Sequence, residues 1–260
     1  MSEPVSTYPP EQHVLRDLRI ESWLDSEHHA IAEMPIDDIV LGTDGNVSLG
    51  ALTTLVDLCC ARVAFASAHP HWIATADLSL ATGDRPASGT VQAEARLLKA
   101  GSKLIAIGVE LGAVGSATAN FVRIPREASE VNRPGPVVGE RVSMPLLEAP
   151  LQTTIVERMD LRVVDGAAEL ERGDYVRNSF GTINGGVIGF LVSAAAEEAT
   201  GMVAADLVLR YVGQTKVGPA RATAQIVRQA VDHAVSEVRV VDAGAGELLL
   251  ALATVTTVRA

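Results

Sequence analysis

"NSFGTINGGVIGFLVSAAAEEATG", residues 178–201, runs from a polar loop through two glycines into an apolar stretch. The pattern predicts a helix opening on Asn184-Gly185-Gly186, although each glycine costs a helix about 1 kcal/mol relative to alanine. An ordinary capped, glycine-rich turn would account for it. So would a need for close approach, because the first N–H groups of a helix lack an intrahelical acceptor and glycine lets a carbonyl or an anion reach them.

The stretch has a counterpart upstream. "GTDGNVSLGALTTLVD", residues 42–57, aligns with it at a shift of 136, which puts Gly45 on Gly181, Gly50 on Gly186, Leu55 on Leu191 and Val56 on Val192. Further on, TADLSL (75–80) aligns with AADLVL (204–209) at a shift of 129, and Gly89, Ala93, Ala95 and Lys99 fall on Gly218, Ala222, Ala224 and Arg228. The seven residues that separate the two shifts lie between helix and strand, in the loop around AHPHW. A true duplication tolerates length change there, since loops accept insertions and packed elements do not. After each helix come alternating stretches, TVQAEARLL and KLIAIGVEL in the first copy, ARATAQIVR and AVSEVRVVD in the second, separated by Gly- and Asp-rich turns. Each copy is read as a leading strand, one long helix and an antiparallel run. Residues 126–149, rich in Pro, Gly and charge and without period, read as a linker between residues 1–125 and 150–260. Because an open sheet edge must be covered, two copies in one chain are expected to pair with each other.

Composition narrows the function. The 260-residue chain is 48% hydrophobic and 20% charged, as globular proteins are, and its net charge of −11 without a basic run argues against general nucleic-acid binding. MSEPVSTYPPEQ lacks a signal pattern, and Asp57 and Arg62 interrupt the longest apolar stretch, Gly50 to Ala68, so a cytoplasmic, non-membrane protein is expected. Cys59 and Cys60 are adjacent in a helical pattern and read as core filler. The six histidines show no metal-ligand spacing, so no metal site is expected.

The loop Asn178-x-x-Gly181-x-x-Asn184-Gly185-Gly186, an apolar helix, a TADL-type strand and a Gly-x-x-x-Ala-x-Ala strand together resemble the hotdog-fold acyl-CoA thioesterases of the phenylacetate-pathway type. The resemblance covers both halves and implies an α+β chain of two hotdog repeats. Each would be a long central helix wrapped by an antiparallel sheet, the two packed as an intramolecular pseudo-dimer. That family has His where Asn184 stands, and an Asp or Glu nine residues later. Here the second copy has Ser193 at the acid position and the first has Asp57; the strand hydroxyl is Thr75 in the first copy and Ala204 in the second; the loop Asn is Asn178 in the second and Gly42 in the first.

Each half lacks what the other keeps, and family sites are built across the interface. The resemblance therefore implies one composite site, with Asp57 and Thr75 facing Asn178, Asn184 and Gly185. Its counterpart, of Ser193, Ala204, Gly42, Ser48 and Leu49, would be dead. In the working site the Gly185 N–H and an Asn amide would receive the oxyanion of a thioester, Asp57 would act as general base or nucleophile, and Thr75 would orient water. A polar stripe with Thr53 and Thr54 would also explain Asp57.

Gly186, Lys99 and Lys103 are expected at the substrate, the lysines on coenzyme A phosphates; Lys216, Arg85 and Arg228 are further cations placed near the site. The substrate would supply the coenzyme A, so no separate cofactor is expected. Low aromatic content suggests an aliphatic pocket. The partner is then an acyl-CoA, with neither nucleic acid nor membrane, and family analogy implies pairs of such chains, a homodimer. A non-catalytic acyl-CoA binding protein and a hotdog hydratase or dehydratase are the alternatives; the hydratase chemistry needs a His near an acid, and neither long helix supplies one.

Overall fold

The computed structural model describes residues 8–125, 135–146 and 151–259. After a short helix α1 (Val14–Asp17) come β1 (Glu21–Ser26) and β2 (His29–Ile36), a 20-residue helix α2 (Leu49–Ala68), and four long strands, β3 (Trp72–Thr82), β4 (Gly89–Ala100), β5 (Leu104–Glu110) and β6 (Gly115–Ile124). A short strand β7 (Arg141–Ser143) precedes the same order again: α3 (Ile155–Arg158), β8 (Arg162–Val164), β9 (Ala167–Leu170), α4 (Gly185–Thr200), β10 (Val203–Tyr211), β11 (Ala220–Gln229), β12 (His233–Asp242) and β13 (Leu248–Val258).

Two expectations change. Each long helix follows a hairpin, β1–β2 or β8–β9, rather than a single strand. The stretch expected as linker lies partly outside the described residues, but within it β7 pairs antiparallel with β1 and extends the sheet.

The strands form one 13-stranded sheet in the order β7-β1-β2-β4-β5-β6-β3-β10-β13-β12-β11-β9-β8. Strand period sets what faces inward: along β2 the even-numbered residues Ala30, Ala32, Met34 and Ile36 are buried beneath α2 and the residues between them are half-buried. Helix α2 packs against β2, β3, β4 and β5; α4 packs against β9, β10, β11 and β13. By length and composition α2 could cross a membrane, but here the sheet and α4 wrap it, which accounts for a helix apolar on nearly every side. Leu52, Leu55, Cys59 and Cys60 on it are wholly buried, and both cysteines are free thiols. Burying a leucine side chain contributes roughly 1.5–3 kcal/mol.

Helices α2 and α4 touch through their glycines. A Cβ on Gly50 would lie 2.3 Å from Phe190 Cγ, one on Gly186 would lie 2.5 Å from Thr54 Cα, and one on Gly189 would lie 2.7 Å from Thr53 Cβ. The shift of 136 turns the Gly50–Phe190 contact into the Gly186–Thr54 contact and maps Thr53 onto Gly189. The central strands behave alike at the shift of 129: Leu207 faces Leu80, Val208 faces Ser79 and Leu209 faces Leu78. Loops before the helices also match. Gly42 and Asn178 donate N–H to Asn46 and Thr182 carbonyls, both at 2.7 Å, and Gly45 and Gly181 both sit at φ +76°, where glycine is favoured.

The N-terminal segment crosses to the second half. Val14 N–H donates to the Tyr175 carbonyl (3.0 Å), and the Tyr175 hydroxyl donates to Asp17 (2.7 Å). Buried His13 accepts the Leu15 N–H at Nδ1 (3.2 Å), so its proton is on Nε2, which donates to the Arg177 carbonyl (2.8 Å). Burial lowers the His13 pKa and favours this neutral form. The loop that carries Asn178 is thereby fastened by residues far away in sequence.

Candidate active site

A cleft of about 190 Å³ opens where the two halves meet, lined by Asp57, Thr75, Asn178, Asn184 and Gly185 among others. Asp57 comes from the middle of α2, Thr75 from the start of β3, Asn178 and Asn184 from the loop before α4, and Gly185 from the first turn of α4. Residues proposed for one constellation from the split between the copies thus stand together.

Thr75 Oγ1 donates to Asp57 Oδ1 at 2.8 Å. That hydrogen bond uses the one hydroxyl proton to hold the carboxylate and leaves the oxygen lone pairs as acceptors. The other oxygen, Oδ2, lies 3.2 Å from where a Gly185 Cβ would be. Glycine is needed at 185 because a side chain there would press on the carboxylate. Burial pushes Asp57 up to about 6, against the Thr75 hydroxyl and the Gly186 N–H, which favour the ionised form.

Asn184 caps α4. Its Oδ1 accepts the Gly186 N–H (3.0 Å) and its carbonyl accepts the Val187 N–H (3.1 Å), while no described group accepts from Gly185. At the positive end of the helix that N–H can meet a developing negative charge. Asn178 Oδ1 accepts the Phe180 N–H (2.9 Å) and the Thr182 N–H (3.3 Å), an arrangement that shapes the loop and turns the acceptor away from substrate chemistry.

Three expectations need correcting, those on Gly186, Arg85 and Arg228. Gly186 does not line the cleft; it faces Thr54 and is a helix-packing glycine. Lys99, near the end of β4, and Lys103, on the β4–β5 turn, are exposed toward the cleft end of the sheet, where the Lys103 carbonyl takes the N–H of Arg123, next to cleft-lining Ile124. Arg85 is bound to Asp44 (2.7 Å) and the Val47 carbonyl (2.9 Å) by the loop before α2, away from Asp57. Arg228 pairs with Val235 at the end of the sheet where β10 begins, whereas the cleft uses the end of β10. Nor is the cleft purely aliphatic. Beside Ala61, Ile73, Ile124, Ile188 and Leu250 stand Phe121, Phe180 and Tyr211, three of the nine aromatic residues of the chain.

The counterpart positions are closed by other groups. Ser193 is buried and its hydroxyl has no partner among the described residues, and Ala204 is wholly buried. Glu197, one turn beyond Ser193, accepts the Ala204 N–H at 3.0 Å and is raised by burial, an effect opposed by that bond and by Arg85. Glu197 was missed in the sequence because its first-copy counterpart is Ala61. Ser193→Ala should leave catalysis unchanged and keep or slightly raise stability, since a buried hydroxyl without a partner costs roughly 1–3 kcal/mol; thermal melting and turnover check it together.

No protein-family model and no curated protein matches the sequence. Solved structures do. The chain is similar to a Lactobacillus plantarum protein described as an oleoyl thioesterase (11% identity, TM-score 0.62, covering 91% of this chain and 99% of that one). It is also similar to the 12:0-ACP thioesterase of Umbellularia californica (12%, 0.60, covering 90% and 94%). A third is a hot dog fold protein of unknown function from Alicyclobacillus acidocaldarius (9%, 0.54, covering 91% and 97%). At these identities the likeness establishes the fold: a central helix against an antiparallel sheet, the hotdog fold.

Proposed function

We propose that the chain consists of two hotdog repeats packed as an intramolecular pseudo-dimer, and that it hydrolyses an acyl-CoA thioester at one composite site between them. The reciprocal contacts of Gly50 with Phe190 and Gly186 with Thr54 support the first part, as a two-fold relation requires that such pairs exchange. The second rests on one observation above all: a carboxylate held by Thr75 and aimed at the glycine-opened end of α4 in an apolar cleft, where burial raises it. The thioesterase names of the solved structures agree with it.

In this reading Asp57 takes a proton from water as the water oxygen bonds to the thioester carbon. The carbonyl oxygen becomes an oxyanion against the Gly185 N–H, with an Asn178 amide as second donor. As the tetrahedral intermediate collapses, the C–S bond breaks and protonated Asp57 returns its proton to the departing thiolate, which leaves free acid and coenzyme A. Base chemistry near neutral pH suits a group that titrates near 6. Coenzyme A phosphates would extend past Ile124 toward Arg123, Lys103 and Lys99, cations at that end of the sheet.

Release of free thiol from a panel of acyl-CoAs tests the proposal. Hydrolysis of at least one of them is expected; tight binding of acyl-CoA without thiol release would replace the enzyme with a binding protein. Asn178→Ala is expected to lower kcat about 100-fold through loss of a donor and of the loop that it shapes. An equal loss in Ser193→Ala would contradict a single site.

A further inference from the structure

We propose that Tyr211 is a positioning residue that holds the glycine-opened turn of α4 against Asp57. This rests on the thioesterase reading of the cleft. Tyr211 ends β10 and lines the cleft, and its hydroxyl donates to the Gly185 carbonyl at 2.7 Å. Its Oη and Asp57 Oδ2 converge on one point, at 3.6 Å and 3.2 Å from where a Gly185 Cβ would be. Two consecutive glycines at a helix start have the most backbone freedom of any pair and no side chains to pin them. Beside the Asn184 cap on the Gly186 N–H, the Tyr211 hydrogen bond ties this turn to β10.

A peptide group is planar, so fixing the Gly185 carbonyl also fixes the direction of the Gly186 N–H. That N–H donates to Asn184 Oδ1 at 3.0 Å and also points its positive end toward Asp57, where, with the Thr75 hydroxyl, it favours the ionised form. The tether is present on one side of the molecule only: at the shift of 129 the counterpart of Tyr211 is Thr82, whose hydroxyl donates instead to the Ala205 carbonyl at 2.7 Å. The asymmetry follows that of Asp57 and Ser193. Among the described residues three titratable groups face Asp57: Tyr8 of the N-terminal segment, Cys60 on α2 and Tyr211 itself. Burial raises all three, so they stay neutral while Asp57 titrates.

Tyr211→Phe keeps the ring and removes the hydroxyl. Its expected effects are a roughly tenfold fall in kcat, about one hydrogen bond's worth, with KM within about twofold. The acid limb of the kcat/KM profile should also move upward. The Asp57 carboxyl, followed by 13C NMR without substrate, should titrate at a higher pH than in the wild type. An unchanged Asp57 titration and unchanged kcat, with only a lower melting temperature, would overturn the proposal and make Tyr211 structural. The NMR titration needs no turnover: if no acyl-CoA is hydrolysed, the thioesterase reading fails while the effect of Tyr211 on Asp57 is still read.

Discussion

Asp57→Asn should abolish thioester hydrolysis and at the same time make the protein more stable above pH 6. The first effect follows from the loss of the base: an amide accepts the Thr75 hydrogen bond but takes no proton from water, and the expected loss is about 10²–10⁴-fold in kcat/KM. The second follows from the burial that raises Asp57 from 3.8 to about 6. Between those pH values the folded protein keeps a proton that the unfolded chain has released. The contribution of Asp57 to stability is therefore greatest below pH 3.8, declines as pH rises toward 6 and is least above it. A shift of this size corresponds to roughly 3 kcal/mol at neutral pH. Asparagine removes that penalty, so the melting temperature of the variant should exceed that of the wild type at pH 7.5 by several degrees, and the gap should close by pH 4. A variant that loses activity and also stability at pH 7.5 would mean that Asp57 is a structural anchor. Wild-type kcat/KM should fall as pH drops through about 6, because the working form is ionised.

Gly186→Ala should destabilise the fold by about 2–3 kcal/mol, measured by denaturant unfolding, although alanine is the better helix former by about 1 kcal/mol. The added methyl would sit 2.5 Å from the Thr54 Cα, which is backbone and cannot swing aside, so α2 and α4 must separate. Separation also draws Gly185 away from Asp57, and turnover should fall with stability. Gly50→Ala meets Phe190 in the reciprocal way and should cost a similar amount. Gly173→Ala is the control: nothing lies within 4 Å of that position and its stability should stay within about 0.5 kcal/mol of wild type.

The readable part of this molecule was the part that repeats. Gly45 and Gly181 share a φ because they share a loop, and the two copies with their long helices could be located by aligning the chain with itself. The split of Asp57 and Thr75 from Asn178, Asn184 and Gly185 was legible for the same reason, since each position could be compared with its counterpart. What repetition does not mark stayed hidden. Tyr211, Glu197 and His13 act through contacts between residues 26, 7 and 164 positions apart, on partners that local pattern does not name. Gly185 and Gly186 look alike in sequence; only the packing of α4 shows that one faces a carboxylate and the other a helix. The cations misled because a turn residue carries a charge whichever end of the sheet it occupies, and Arg85 and Arg228 occupy the wrong end.

The most direct measurement is a crystal structure with a non-hydrolysable thioether analogue of an acyl-CoA that the protein cleaves. The account predicts the analogue's reacting carbon within about 3–3.5 Å of a water on Asp57, near the Gly185 N–H, in one copy per chain. Electron density for the acyl group beside Ser193 and Ala204, or in both places equally, would contradict it.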